Sequence, residues 1–324
     1  MLFSSKCSER IFSTDAVTAA SSVITLLSSI MSDKYHHIIE ESKVITDDAA
    51  VTASVEKILS EHFEENNNKE VYKFLFNTID LTTLNGTDSQ QSVAEFVKRV
   101  NAFDEEYPHL KNVAAICVYP VFVPTVCATL EVPAVDVAAV SGGFPASQTF
   151  PEVKIAETSL AVEAGADEID IVLNIGDFLD DDFESVCDEI DEQKHACRDS
   201  LLKVILETGA LKTAEKIRNA SLLSLYSGAD FLKTSTGKGY PGASLEAAYI
   251  MAQCIKEYYE KTGKKVGFKA SGGVSTTEDA VKYYTVIKEV LGEEWLTNEL
   301  FRIGASRLAN NLLSDIIDSE VKFF

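Results

Sequence analysis

GADFLKTSTGK (residues 228–238) and VGFKASGGV (residues 266–274) each place a lysine, Lys233 or Lys269, at the end of a short apolar run that reads as a β-strand. A buried ammonium is costly unless it is paired or neutral, so a lysine after Phe231 and Leu232 calls for a reason. A second lysine one strand away disfavours the charged form of the first and lowers its pKa. An amine tuned in this way can form a Schiff base near neutral pH. The alternative reading of one such string is a solvated loop lysine. Two of them, each running from a strand into Gly, Ser and Thr, favour chemistry.

Outward from these two runs the chain alternates strand and helix signals. Strands are expected at Asn77–Leu81, Ala114–Tyr119, Val135–Val140, Glu168–Leu173, Leu202–Leu206, Asp230–Lys233, Val266–Ala270 and Phe301–Gly304. Helical spacing is read between them, for example over Ser92–Phe103, Val153–Ala164, Phe183–Ser200, Thr213–Ser227, Ser244–Thr262 and Thr277–Leu291. Eight strands with intervening helices predict a parallel sheet closed as a (β/α)8 TIM barrel, with the chemistry at the strand C-termini. An open doubly wound sheet is the competitor, but no G-x-G-x-x-G follows the first strand.

The expected organisation is an N-terminal extension over residues 1–46 and a helix and turn packing on the barrel over 47–70. The barrel follows over 71–318, with a short tail over 319–324. Asp47 or Asp48 is the expected N-cap of the first helix, and the polar run 64–70 reads as a turn. Val17–Met31 is apolar but too short and serine-rich to span a bilayer. It is read as part of a disordered extension, with a targeting peptide as the lesser alternative.

The chain has 324 residues, 46% of them hydrophobic, and a net charge of -22, with a pI near 4.6. That charge argues against nucleic acid or anionic membrane as partner. The six cysteines and five histidines show no metal-ligand spacing and read as reduced thiols and scattered histidines, so no metal and no cofactor are expected. The expected location is the cytoplasm.

In GADEIDIV (165–172), Asp170 shares strand parity with Glu168 and Val172, and an inward carboxylate there needs a cation such as Lys269 or Lys203. Lys203, a charge inside LLKVILETG (201–209), reads as a supporting residue. Asp80 in DLTTLN (80–85) divides evenly between a helix N-cap and an active-site role, and Cys117 in AAICVYP reads as a core thiol supporting the site. Gly272 and Gly273, Gly304 and Ser306, and Thr236 and Lys238 follow three consecutive strands, where backbone N–H groups can hold a phosphate.

DLTTLN, AAICVYP, GFPASQT, GADEIDIV, LLKVILETG, ADFLKTSTGK, VGFKASGGV and FRIGAS, in that order, resemble the successive strand motifs of the deoxyribose-phosphate aldolases, a family of class I aldolases. GFPASQT (143–149) and the stretch 288–306 are most similar to the animal-type branch. The resemblance runs from about Lys73 to Leu313. It implies reversible retro-aldol cleavage of 2-deoxy-D-ribose 5-phosphate to D-glyceraldehyde 3-phosphate and acetaldehyde, a step of deoxyribonucleotide catabolism. Residue by residue, it makes Lys233 the Schiff-base lysine, Lys269 the lysine that lowers its pKa, and Asp170 the aspartate of the proton relay. Thr236, Lys238, Gly272, Gly273, Gly304 and Ser306 become the phosphate-binding set. The implied partner is a small phosphorylated sugar, and a homodimer is an accompanying expectation.

Several positions depart from the family pattern. Its Lys-Pro-Ala-Gly-Gly is Lys269-Ala270-Ser271-Gly272-Gly273 here. Arg307 replaces a small hydroxyl residue, and GYPGAS (239–244) stands where Val-Asn-Ala-Thr is usual. Many members end in a tyrosine that assists proton transfer, whereas residues 323 and 324 are phenylalanines here. These differences leave two other readings open: a weakened aldolase-fold protein that binds a protein partner, or a class I aldolase for another phosphorylated aldehyde.

Overall fold

The computed structural model describes residues 35–324. The targeting or disorder expectation for Val17–Met31 lies outside the described residues. The strands are β1 (Ile79–Thr82), β2 (Ala115–Val118), β3 (Asp136–Ser141), β4 (Glu168–Val172), β5 (Leu201–Ile205), β6 (Phe231–Lys233), β7 (Gly267–Ser271) and β8 (Phe301–Ala305). All pair in parallel, each with the next, and β1 pairs with β8 to close the barrel. The expected (β/α)8 architecture is the one observed, and each expected strand lies within two or three residues of an observed one.

The strands are short, nearly continuous buried runs because both faces of a parallel sheet are covered. In β2 all four residues are buried, and in β7 all five. The helices that cover the outer face are set by local signals. Ser89 and Thr276 open Gln90–Glu106 and Thr277–Leu291 with capping boxes. Asp47 caps Asp48–Asn66 by accepting from Ala50 N–H at 2.7 Å, and the Asp48 carboxylate accepts from Ala214 N–H at 2.8 Å. That helix packs across Leu245–Thr262 and Thr277–Leu291.

The sequence reading needs correction at the N-terminal side. Residues 64–70 are not one turn. The first helix runs to Asn66, and a second, Lys69–Asn77, begins after Asn68 caps Glu70 and Val71 N–H. Val71, Leu75 and Phe76 bury one face of it. Asn77 therefore ends a helix rather than starting β1. Upstream, residues 35–40 are helical, Tyr35 and Val44 are buried, and Ser42 and Lys43 donate to Glu257, each at 3.1 Å. Docked chain thus precedes the boundary expected at residue 47.

Candidate active site

Strand register brings the sequence-derived lysines together: Lys233 on β6 is the direct partner of Lys269 on β7, and Asp170 on β4 is the partner of Lys203 on β5. Odd-even alternation turns all four side chains into the barrel, with Asp80 of β1, Glu168 of β4 and Arg302 of β8. Each is at most 3% exposed. Buried charges at this density are tolerable only if each finds partners.

Asp170 is the hub. Its Oδ2 accepts from Lys233 Nζ and Lys269 Nζ, each at 2.7 Å, and its Oδ1 lies 3.3 Å from Lys203 Nζ. Lys269 has a second counter-ion in Asp80, at 2.5 Å, and Lys203 has Glu168. Arg302 ties the lower layer together, donating to Asp80 at 2.7 Å and to Glu168 at 2.9 Å, and reaching the half-exposed Asp136 at 3.3 Å. Among the described residues Lys233 pairs with Asp170 alone.

That asymmetry sorts the amines. Burial pushes the pKa of Lys233 down; Asp170 opposes this, and the neighbouring Lys269 ammonium adds to it, leaving a net fall. Burial acts on Lys269 in the same direction, but Asp170 and Asp80 outweigh it, so its pKa is raised. Lys203 is likewise raised, because Asp170, Glu168 and Asp80 outweigh its burial. Burial would raise the pKa of Asp170, yet Lys203, Lys233 and Lys269 hold it well below the usual carboxylate range. The site therefore contains one amine with a lowered pKa, beside an ammonium and a carboxylate held in their charged forms. Burial, more than the second lysine expected from the sequence, lowers the pKa of Lys233.

Above this layer a cavity of about 620 Å³ opens over β1, β6, β7 and β8, lined by Thr236, Gly237, Lys238, Gly272, Gly273, Gly304 and Ser306 among others. The expected phosphate-binding residues thus share one pocket. Lys238 reaches across it to donate to the carbonyl of Leu84 at 2.7 Å. Ser306 precedes the helix Arg307–Ile317, whose N-terminus has no side-chain cap, and Arg307 lines the same pocket. Gly304 also serves the layer below, since a Cβ there would come within 3.1 Å of Lys269 Cε and 2.9 Å of Ser271 Oγ. The GYPGAS loop rests on the end of β7: Ala243 N–H donates to Gly272 O at 2.9 Å, and a Cβ on Gly242 would sit 2.1 Å from that oxygen.

The N-cap reading of Asp80 is wrong, because β1 continues to Thr82 and the helix that follows is capped by Ser89. Asp80 instead anchors Lys269 from below. Cys117 is buried in a small cluster with Leu84, Ala115, Ala138 and Val140, and burial raises its pKa. At the tail, the Phe324 backbone is held by Asn310, which accepts from Phe324 N–H and donates to its carbonyl, both at 3.0 Å. Its ring packs on Phe76 and Phe103, at centroid distances of 6.1 and 5.8 Å, while the residue also borders the pocket.

Sequence reasoning missed Arg302 and Glu207. Arg302 carried the same signal as Lys203, a charge inside an apolar strand (FRIGAS). Glu207 gave none, because the contact of its carboxylate with Thr236 depends on how the chain turns after β5.

Residues 74–289 match the family model described as DeoC/LacD family aldolase. The chain is 42% identical to a putative deoxyribose-phosphate aldolase of Caenorhabditis elegans over 77% of its length and 82% of that protein. It is 41% identical to deoxyribose-phosphate aldolase of Homo sapiens over 74% of its length and 77% of that protein. A crystal structure of a putative deoxyribose-phosphate aldolase from Coccidioides immitis superposes with a TM-score of 0.63 at 30% identity, covering 75% of this chain and 86% of the other. A family model over two thirds of the chain and relatives near 40% identity agree, and the chain belongs to the DeoC/LacD family of aldolases.

Proposed function

We propose that the chain cleaves 2-deoxy-D-ribose 5-phosphate reversibly to D-glyceraldehyde 3-phosphate and acetaldehyde, with Lys233 as the Schiff-base lysine. One observation carries the assignment: of the three amines around Asp170, Lys203 and Lys269 each have a further carboxylate partner, whereas among the described residues Lys233 has Asp170 alone, and burial lowers its pKa. Neutral Lys233 attacks the aldehyde carbon of the open-chain sugar, and loss of water gives a protonated imine. The C3 hydroxyl gives up its proton while the C2–C3 bonding pair moves into the imine. Glyceraldehyde 3-phosphate leaves and an enamine remains on Lys233. Protonation at C2 and addition of water then release acetaldehyde and regenerate the amine.

Asp170 and Lys269 serve the proton steps as a relay with water. Both are held in their charged forms and share a hydrogen bond at 2.7 Å, so their role is to orient and polarise the water that carries the proton, with little reorganisation. Lys269 also stays positive beside the imine and adds to burial in lowering the pKa of the free amine. Asp80 and Lys203 hold this pair from below, at 2.5 Å from Lys269 and 3.3 Å from Asp170. The phosphate is assigned to the pocket of Thr236, Lys238, Gly272, Gly273, Gly304 and Ser306, where backbone N–H groups, an ammonium and a helix N-terminus converge. Arg307 adds a second cation to that wall, which favours a dianion over the neutral sugar. The same reading includes a cytoplasmic location. Its support is that Cys117, Cys127, Cys197 and Cys254 are free thiols.

Purified protein incubated with 2-deoxyribose 5-phosphate tests the proposal. Equimolar acetaldehyde and glyceraldehyde 3-phosphate are expected. Turnover of a different phosphorylated aldehyde, with none of this ester, would replace the substrate while leaving the lysine chemistry in place.

A further inference from the structure

Glu207 stands just past β5 with φ 54° and ψ 58°, and it is 1% exposed. A non-glycine residue in the left-handed region carries a backbone cost, which the surrounding structure must offset. A carboxylate at that burial adds a second cost, and burial does push its pKa up. The carboxylate lies outside the hydrogen-bonded lysine cluster, with Lys233 acting on it only through its charge.

Its contacts show what it holds. The β5–β6 pairing reaches Ile205 and Lys233, and two main-chain bonds extend it: Leu206 N–H to Lys233 O and Thr208 N–H to Thr234 O, both 2.9 Å. At the next step the Glu207 carboxylate takes the place of a backbone carbonyl. Both of its oxygens lie 3.4 Å from Thr236 N, and one accepts the Thr236 hydroxyl at 2.5 Å. That hydroxyl accepts in turn from Lys238 N–H at 3.0 Å. The chain of contacts therefore runs from Glu207 through Thr236 to Lys238, whose ammonium crosses the pocket to Leu84 O. The 236–238 turn follows the Lys233 strand directly and forms one wall of the cavity.

We infer that Glu207 is a positioning residue that fixes the Thr236–Gly237–Lys238 turn in the shape that receives the substrate phosphate, and thereby sets the preference for phosphorylated over unphosphorylated 2-deoxyribose. The inference rests on the aldolase reading above. Glu207 acts through the turn and touches neither the imine nor the breaking bond. Its removal therefore weakens phosphate capture and leaves the lysine chemistry in place.

The test compares the unmodified protein with Glu207→Ala, Glu207→Asp and Glu207→Gln. Steady-state kinetics are run on 2-deoxyribose 5-phosphate and on 2-deoxyribose, with borohydride trapping of acetaldehyde in parallel. Glu207→Ala should raise KM for the phosphate ester by about tenfold or more, the scale of one lost hydrogen bond to a charged group. Its kcat, its cleavage of the unphosphorylated sugar and its acetaldehyde adduct should be unchanged. Glu207→Asp, one methylene shorter, should show the same split in smaller degree, which keeps the test alive if the alanine variant does not fold. Glu207→Gln should recover most of the loss, because its amide oxygen can accept Thr236 N–H while its NH2 donates to the hydroxyl. An unchanged KM ratio between the two substrates, or an equal loss on both, would overturn the inference. Unmodified protein that cleaves neither sugar and forms no adduct would overturn the aldolase reading along with it.

Discussion

Replacing Lys269 by leucine removes the fixed ammonium beside Lys233. Both amines bond the same Asp170 oxygen at 2.7 Å, so their nitrogens lie no more than twice that distance apart. Two like charges at that range repel by about 3–4 kcal/mol in an effective dielectric near 20. Asp170, freed of one of its three cations, would also draw a proton onto Lys233 more strongly. Both changes raise the pKa of Lys233 from its depressed value, so less amine is neutral at any given pH. Since about 1.4 kcal/mol is tenfold, the loss in the rate of Schiff-base formation near neutrality should reach roughly a hundredfold. The assay is the pH dependence of imine formation with acetaldehyde, a step that does not need the C3 proton relay. The acid limb of the profile should move to higher pH in Lys269→Leu and its plateau should persist. A profile that keeps its position would mean that burial alone tunes Lys233, and the electrostatic part of the argument would fall.

Gly304→Ala should crowd Lys269 and Ser271 at 3.1 and 2.9 Å. Overpacking of this kind costs about 1–3 kcal/mol, read as a lowered denaturant midpoint together with reduced kcat. The depressed pKa values of Asp80 and Asp170 contribute stability that is complete above the unfolded carboxylate pKa of about 4 and is lost as pH falls through their folded values. Urea unfolding should therefore lose about 1.4 kcal/mol per pH unit for each of them below about pH 4, and Asp170→Asn should flatten that slope. Phe324→Tyr should leave the exchange of acetaldehyde methyl protons into deuterated water unchanged, because the ring is packed against Phe76 and stacked on Phe103. A gain approaching the 10²–10⁴ typical of a positioned general acid would show that the hydroxyl reaches the site.

The barrel was legible because its strands are short apolar runs bounded by glycine and polar turns, and because helical spacing fills each gap. The charged pair Lys233 and Lys269 was legible for the same reason, since an ionisable residue in such a run stands out. Lys69–Asn77 was not, because the asparagine run 66–68 looks like a loop. Its residues in fact end one helix and cap the next, and only the buried face of Val71, Leu75 and Phe76 reveals this. Asp80 misled because an aspartate after a strand and before a helix reads as a cap. The intervening loop moves that role to Ser89 and leaves Asp80 in the charge layer. Glu207 was invisible because its contact with Thr236 follows from a left-handed φ that sequence does not encode for glutamate. The direction of the shift on Lys233 could be anticipated from two adjacent lysines, but its main cause, burial, needed the packed barrel.

The most direct measurement is borohydride reduction of the protein with acetaldehyde, followed by peptide mass mapping. A stable two-carbon adduct on Lys233 is predicted, with Lys203, Lys238 and Lys269 unmodified. An adduct on any of those three, with Lys233 untouched, would contradict the assignment of the neutral amine.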